Sequence, residues 1–172
     1  KVRDILGDVV YGIDVSSLEE VAVNLLRDRK LTLATAESCT GGLLSKRITD
    51  IPGSSECFLG GVCAYSNEVK TKLLGVPEEL IKEKGAVSAE VAAKMAEGAR
   101  LSLGASIGVG ITGVAGPGGG TEEKPVGLIY VALSTADKMV VTTLNNKRSR
   151  DRNRLMAAST ALDMVRRHIA SL

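Results

Sequence analysis

The chain has no tryptophan, a single phenylalanine (Phe58) and three tyrosines, so aromatic side chains make up only 2% of its 172 residues. That scarcity removes the stacking platforms on which single-stranded nucleic acids are held. Charge of one sign is lacking as well. Twenty-two Lys and Arg stand against 20 Asp and Glu, a formal net charge of +2, and so close a balance gives no general electrostatic case for binding nucleic acid or a membrane surface. Long apolar runs are missing: the longest, such as residues 126–133, have the length of a strand and fall far short of a bilayer span. Nothing resembles a signal peptide, which points to the cytoplasm. Three cysteines, Cys39, Cys57 and Cys63, form no CxxC pair and have no histidine nearby. This argues against a disulfide framework and against zinc, and reduced thiols are expected. The one histidine, His168, falls in the last turn of a C-terminal helix beside Arg166 and Arg167. It reads as a surface residue and is too remote for a Ser-His-Asp or Cys-His site. A nucleophile in this chain needs another base.

What is present fits one domain with a sizeable core and without repeats. The chain starts at Lys1, and residues 1–16 (Val2, Ile5, Leu6, Val9, Val10, Tyr11, Gly12) read as a linker from a further N-terminal domain, with the domain proper over 17–172. Ser17 and Glu20 make a capping box for a helix over 18–29. A strand over 31–36 follows, then a helix through Leu43, Leu44, Arg47 and Ile48. A second strand, 57–66, carries a bulge signal at Gly60-Gly61. Asn67 is placed as the cap of a helix over 68–74, which Gly75 and Pro77 stop. Ser88 opens a longer helix with Val91, Ala92, Met95 and Ala99 on one face. Strands over 105–111, 126–134 and 139–144 come next. A last helix, 151–170, places Leu155, Leu162, Val165 and Ile169 at heptad-like spacing. Strands that alternate with helices early and run consecutively late predict a three-layer α/β/α sandwich with a mixed, mostly parallel sheet of about five strands. Its apolar helices allow a homo-oligomer without requiring one.

Chemistry concentrates at four places. Thr35-Ala36-Glu37-Ser38-Cys39-Thr40-Gly41-Gly42 sets a hydroxyl and a thiol on a tight strand-to-helix bend, aimed at a helix N-terminus whose free N–H groups favour a phosphate or an oxyanion. The plainer reading of these residues is a helix cap. Tyr65 and Lys70 flank the end of the second strand. A lysine acts as a base when burial lowers its pKa, although an exposed, solvated lysine is the ordinary case. Residues 108–120 leave a strand and enter a loop of glycines that could wrap a phosphate with backbone N–H groups, or serve as a flexible linker. The loop matches neither the P-loop nor the dinucleotide fingerprint. Finally, Arg150 and Arg154 lie one turn apart at the start of the last helix, spaced to clamp a phosphate or to form a solvated basic face. Ser38, Tyr65 and Thr112 all fall beyond the carboxyl ends of strands, where ligands of such sheets gather.

Taken together, residues 36–42, Pro52-Gly53-Ser54-Ser55, Gly60-Gly61-Val62 with Tyr65-Ser66-Asn67 and Lys70, and Gly110-Ile111-Thr112-Gly113-Val114-Ala115-Gly116-Pro117-Gly118-Gly119 closely resemble the CinA C-terminal domain family. Its members act as nicotinamide mononucleotide deamidases. The resemblance runs from about Leu18 to the end. It implies hydrolysis of a small-molecule ribonucleotide to nicotinate mononucleotide and ammonia, with no cofactor and no metal. Carried over by motif, Ser38 is the nucleophile and Lys70 its base, while Tyr65 and Thr112 orient proton transfer or substrate. N–H groups at Thr40, Gly41 and Gly42 are expected to hold the oxyanion. Gly113, Gly116 and Gly118, with Arg150 or Arg154, are expected to hold the phosphate. The family's usual Gly-Asp-Arg before the last helix is replaced here by Arg148-Ser149-Arg150. Cys39 rivals Ser38 as nucleophile, since a thiolate is intrinsically stronger. Two alternatives remain: a non-catalytic nucleotide-binding module tied to competence or DNA damage, and an ADP-ribose pyrophosphatase, whose metal-binding carboxylates are not evident here.

Overall fold

The computed structural model describes Ile5 and residues 7–172. Of the linker, Val2 and Leu6 lie outside the described residues, and Gly7–Val9 form a short 3-10 turn. The elements then run α1 (Leu18–Asp28), β1 (Leu33–Glu37), α2 (Leu43–Thr49), β2 (Phe58–Cys63), α3 (Asn67–Leu74), α4 (Glu78–Lys84), α5 (Ala89–Leu103), β3 (Ile107–Gly113), β4 (Leu128–Ser134), β5 (Met139–Asn145) and α6 (Arg150–Ala170). The strands form one sheet in the order β2-β1-β3-β4-β5. β1 lies parallel to both β2 and β3, while β3, β4 and β5 form an antiparallel meander. The parallel pairs are those whose connections contain helices, as a crossover requires.

Side chains alternate across β1, and so build both layers at once. Leu33 joins the core under α1, α2 and α6 with Leu26, Ile48, Ile107 and Leu162, whereas Ala34 and Ala36 join Leu74, Val91 and Met95 under α3 and α5. The second layer is closer to the sheet than ordinary side chains allow. A Cβ on Gly108 would lie 2.1 Å from the Ala96 carbonyl, and one on Gly110 would lie 2.3 Å from that of Ala92. The glycines of β3 and the alanines of α5 are therefore one feature, a helix seated directly on strand backbone.

The sandwich and its five-stranded mixed sheet match the architecture implied by the sequence, with differences in detail. β1 starts at Leu33 and reaches Glu37. β2 is short, and its register skips Leu59 between Phe58 and Gly60, which is the expected bulge. The cap of α3 is Ser66, whose hydroxyl accepts the Val69 N–H, and Asn67 is already helical. Pro77 does more than stop α3, because it opens α4, a helix with acids first and lysines last as the helix dipole favours. Leu155 leaves the heptad line and is 50% exposed. His168 is partly buried at the far end of α6, with Nδ1 closed off from solvent and without a hydrogen-bond partner. No described helix is long and apolar enough to cross a membrane.

Candidate active site

β1 hands the chain to α2 through the bend at residues 38–42. The Ser38 N–H donates to the Ile111 carbonyl at 2.9 Å, and the Ser38 carbonyl accepts the Gly41 N–H at 3.1 Å, so the bend is tied to the carboxyl end of β3. Gly41 and Gly42 have φ values of 58° and 90°, a left-handed turn that side chains resist. Ser38 stays half-buried while Cys39 and Thr40 turn inward.

The free helix N-terminus expected beside Ser38 is already filled, and by a residue that motif reading overlooked. Glu37 is 1% exposed, and its carboxylate accepts the N–H groups of Leu44 (3.0 Å) and Ser45 (2.8 Å) and the Ser45 hydroxyl (2.7 Å). A buried carboxylate must be satisfied by donors, and the first turn of a helix supplies them. With the Gly41 N–H bonded to Ser38 and the Leu43 N–H to Thr40, the first-turn donors of α2 at Leu43, Leu44 and Ser45 already have acceptors. Thr40, Gly41 and Gly42 are not among the residues that border the cleft.

The cleft itself has a volume of about 310 Å³ and is bordered by Ser38, Cys39, Tyr65, Val87 and Arg150, with backbone at Gly113, Gly116, Gly118 and Gly119. Arg150 spans its mouth: Nη1 donates to the Gly116 carbonyl at 2.7 Å and Nη2 to the Tyr65 hydroxyl at 3.4 Å. Tyr65 lies beyond the end of β2 and is 64% exposed. Gly118 and Gly119 face open space and present bare backbone. Arg154 points elsewhere, its Nη2 donating to the Thr40 carbonyl at 2.7 Å. Asn153, a further residue without a motif to announce it, is fully buried and donates to the carbonyls of Ala115 and Arg148, each at 3.0 Å. It thereby ties α6 to the glycine loop. A larger cavity of about 450 Å³ lies between α3 and α4, but its ionisable groups pair with one another as Lys72–Glu68 and Lys82–Glu78.

Lys70 is the chemical surprise. It is 1% exposed, on the inner face of α3, and Nζ donates to the carbonyls of Ala64 (2.9 Å) and Tyr65 (3.5 Å). No carboxylate pairs with it among the described residues. Burial pulls its pKa below the usual lysine range, partly opposed by Cys39 and Cys63. Cys39 belongs to the same neighbourhood, but burial pushes its thiol up to about 11. The thiol is therefore protonated near neutrality and a poor nucleophile. Thr112 is buried with its hydroxyl donating to the Ala86 carbonyl at 2.7 Å. All three cysteines are free, and no cluster of three His, Cys, Asp or Glu side chains among the described residues could hold a metal ion.

The CinA C-terminal domain family matches residues 15–169. A CinA-like protein of Desulfovibrio desulfuricans is 59% identical over 174 residues, covering 99% of this chain and 41% of that protein. A CinA-like protein of Dictyoglomus turgidum is 49% identical over 172 residues, covering 100% of this chain and 42% of that protein. The chain thus spans about two-fifths of the length of the curated relatives it matches. Among solved structures, the competence/damage inducible protein CihA from Agrobacterium tumefaciens superposes with a TM-score of 0.84 at 37% identity, covering 90% of this chain and 96% of that one. A CinA superfamily protein from Klebsiella pneumoniae gives a TM-score of 0.86 at 27% identity, over 90% of this chain and 97% of that one. The chain belongs to the CinA C-terminal domain family.

Proposed function

We infer that this domain is an amidohydrolase that converts nicotinamide mononucleotide to nicotinate mononucleotide and ammonia. The observation that carries the reading is a buried lysine without a carboxylate partner, behind the turn that delivers Tyr65 to the cleft and within electrostatic reach of Cys39, the neighbour of a half-buried serine on a pinned bend. A desolvated amine without a carboxylate partner is disposed to be neutral and so to accept a proton. In the proposed reaction the Ser38 hydroxyl attacks the carboxamide carbon and its proton passes to Lys70. The oxyanion collapses, the C–N bond breaks, and the amine leaves as ammonia with that proton. Water then hydrolyses the Ser38 ester and releases the carboxylate. Cys39 borders the cleft, and its backbone N–H is the donor assigned to the oxyanion, in keeping with the need for N–H groups aimed at developing charge.

Of the two candidate arginines, Arg150 is assigned to the phosphate with the bare backbone at Gly116, Gly118 and Gly119, since Arg154 is committed to the Thr40 carbonyl. Incubating the protein with nicotinamide mononucleotide without added metal, and following ammonia together with nicotinate mononucleotide, tests the reading. Equimolar products are expected. Tight binding with neither product would instead make the domain a nucleotide-binding module.

A further inference from the structure

Val87 enters the cleft from outside every motif of the sequence. It stands on the short turn between α4 and α5, and that turn is clamped to an unusual degree. Three consecutive carbonyls ahead of Val87 each accept a side-chain hydrogen bond: Lys84 from Lys124 Nζ, Gly85 from Ser88 Oγ at 3.1 Å, and Ala86 from Thr112 Oγ1 at 2.7 Å. The donors come from the β3–β4 loop, the cap of α5 and β3. Gly85 has a φ of 76°, a backbone conformation that residues with side chains resist. A surface connection needs no such bracing merely to join two helices, and short connecting segments are ordinarily the mobile part of a fold. The bracing holds a half-buried isopropyl group at the carboxyl end of β3, the same end to which the Ser38 N–H is tied through Ile111.

We propose that Val87 is a specificity-determining residue, the wall against which the planar ring of a carboxamide ribotide rests while its amide faces Ser38. Thr112 is then a positioning residue that holds this wall through Ala86, with no contact to the reacting atoms. The proposal rests on the amidohydrolase reading for its substrate. The side chains support the division of labour: Arg150 supplies the cationic group for a phosphate at the mouth, and Val87 with Ala115 supplies the apolar surface.

The test compares kcat and KM for nicotinamide mononucleotide among Val87→Ala, Thr112→Val and Thr112→Ser, with ribose 5-phosphate as a competitive inhibitor that has the phosphate but no ring. Val87→Ala is expected to raise KM about tenfold, the scale of lost apolar contact in a pocket, with a smaller change in kcat and the ribose 5-phosphate inhibition constant unmoved. Thr112→Val, which keeps the shape and loses the hydroxyl, should follow the same pattern, and Thr112→Ser should recover it. The double variant Val87→Ala/Thr112→Val should be no worse than the poorer single, because both act through one turn. A fall in kcat at unchanged KM for Thr112→Val would overturn the positioning role. An unchanged KM for Val87→Ala, or equal weakening of both ligands, would overturn the wall. If the wild-type protein binds nicotinamide mononucleotide without releasing ammonia, the hydrolase reading fails alone, and the same comparisons made as calorimetric dissociation constants still decide the role of Val87.

Discussion

Ser38 and Cys39 are adjacent and yet chemically opposite, because one faces the cleft half-buried and the other turns into packed surroundings that raise its thiol to about 11. Ser38→Ala should therefore abolish ammonia release while Cys39→Ala retains it, and the reverse outcome would transfer the nucleophile to sulfur. Lys70 makes a second prediction, on pH. Its folded pKa lies below the usual lysine value because of burial, so the neutral amine accumulates as pH rises through that lowered value. The rate constant kcat/KM should climb across this window and level off above it. Lys70→Arg, always charged, should be inactive throughout, and Lys70→Ala should lose on the order of 10²–10⁴-fold, the usual worth of a general base. The residue types at these positions were legible in the sequence, but their environments were not. Lys70 and Lys72 share one helix and one local composition, yet the first is buried and the second exposed, a distinction made only by what α3 packs against.

At the level of elements, Glu37 couples strand to helix by filling the first turn of α2 with its carboxylate. Glu37→Ala leaves buried N–H groups of Leu44 and Ser45 without an acceptor and should cost about 1–3 kcal/mol in urea denaturation. Glu37→Gln, which keeps one carbonyl oxygen in place, should cost less. The seating of α5 on β3 is equally specific: Gly110→Ala drives a methyl group toward the Ala92 carbonyl and should destabilise by roughly 1–3 kcal/mol through overpacking. Periodicity and caps located most of these elements, since helix starts at Ser17 and Ser88 are written in hydroxyls that bond their own first turns. What failed was the reading of ambiguous signals. Pro77 serves equally as a stop and as a start, and a helix of seven residues such as α4 offers too few turns for periodicity to declare it. Glu37 was hidden for another reason, since a carboxylate inside a buried strand announces its partners only once α2 folds back over it.

For the molecule as a whole, the sheet order places the ends of β1, β2 and β3 side by side, and the cleft is what their three following loops enclose. The antiparallel half of the sheet brings α6 back to that end, so Arg150 and Asn153 reach the site from residues far away in sequence, and spacing alone could not choose Arg150 over Arg154. The opposite end of α6 bears on global stability. Burial, followed by the nearby Lys138, lowers the His168 pKa from the ordinary histidine value of 6.5, against a smaller opposing effect of Asp137. The folded state thus prefers the neutral imidazole. Its contribution is complete above about pH 6.5 and is lost as pH falls through the lowered folded value. The melting temperature should drop between pH 7.5 and 5 in the wild type and drop less in His168→Gln; parallel curves would exclude this histidine as the cause.

A covalent bond at one serine is the central requirement of this chemistry, and quenched-reaction mass spectrometry reads it directly. Acid-quenched protein turning over nicotinamide mononucleotide should carry an ester of the nicotinate ribotide on the peptide containing Ser38, present in Cys39→Ala and absent in Ser38→Ala. Ammonia release by Ser38→Ala at the wild-type rate, or an adduct that survives Ser38→Ala and disappears in Cys39→Ala, would contradict it.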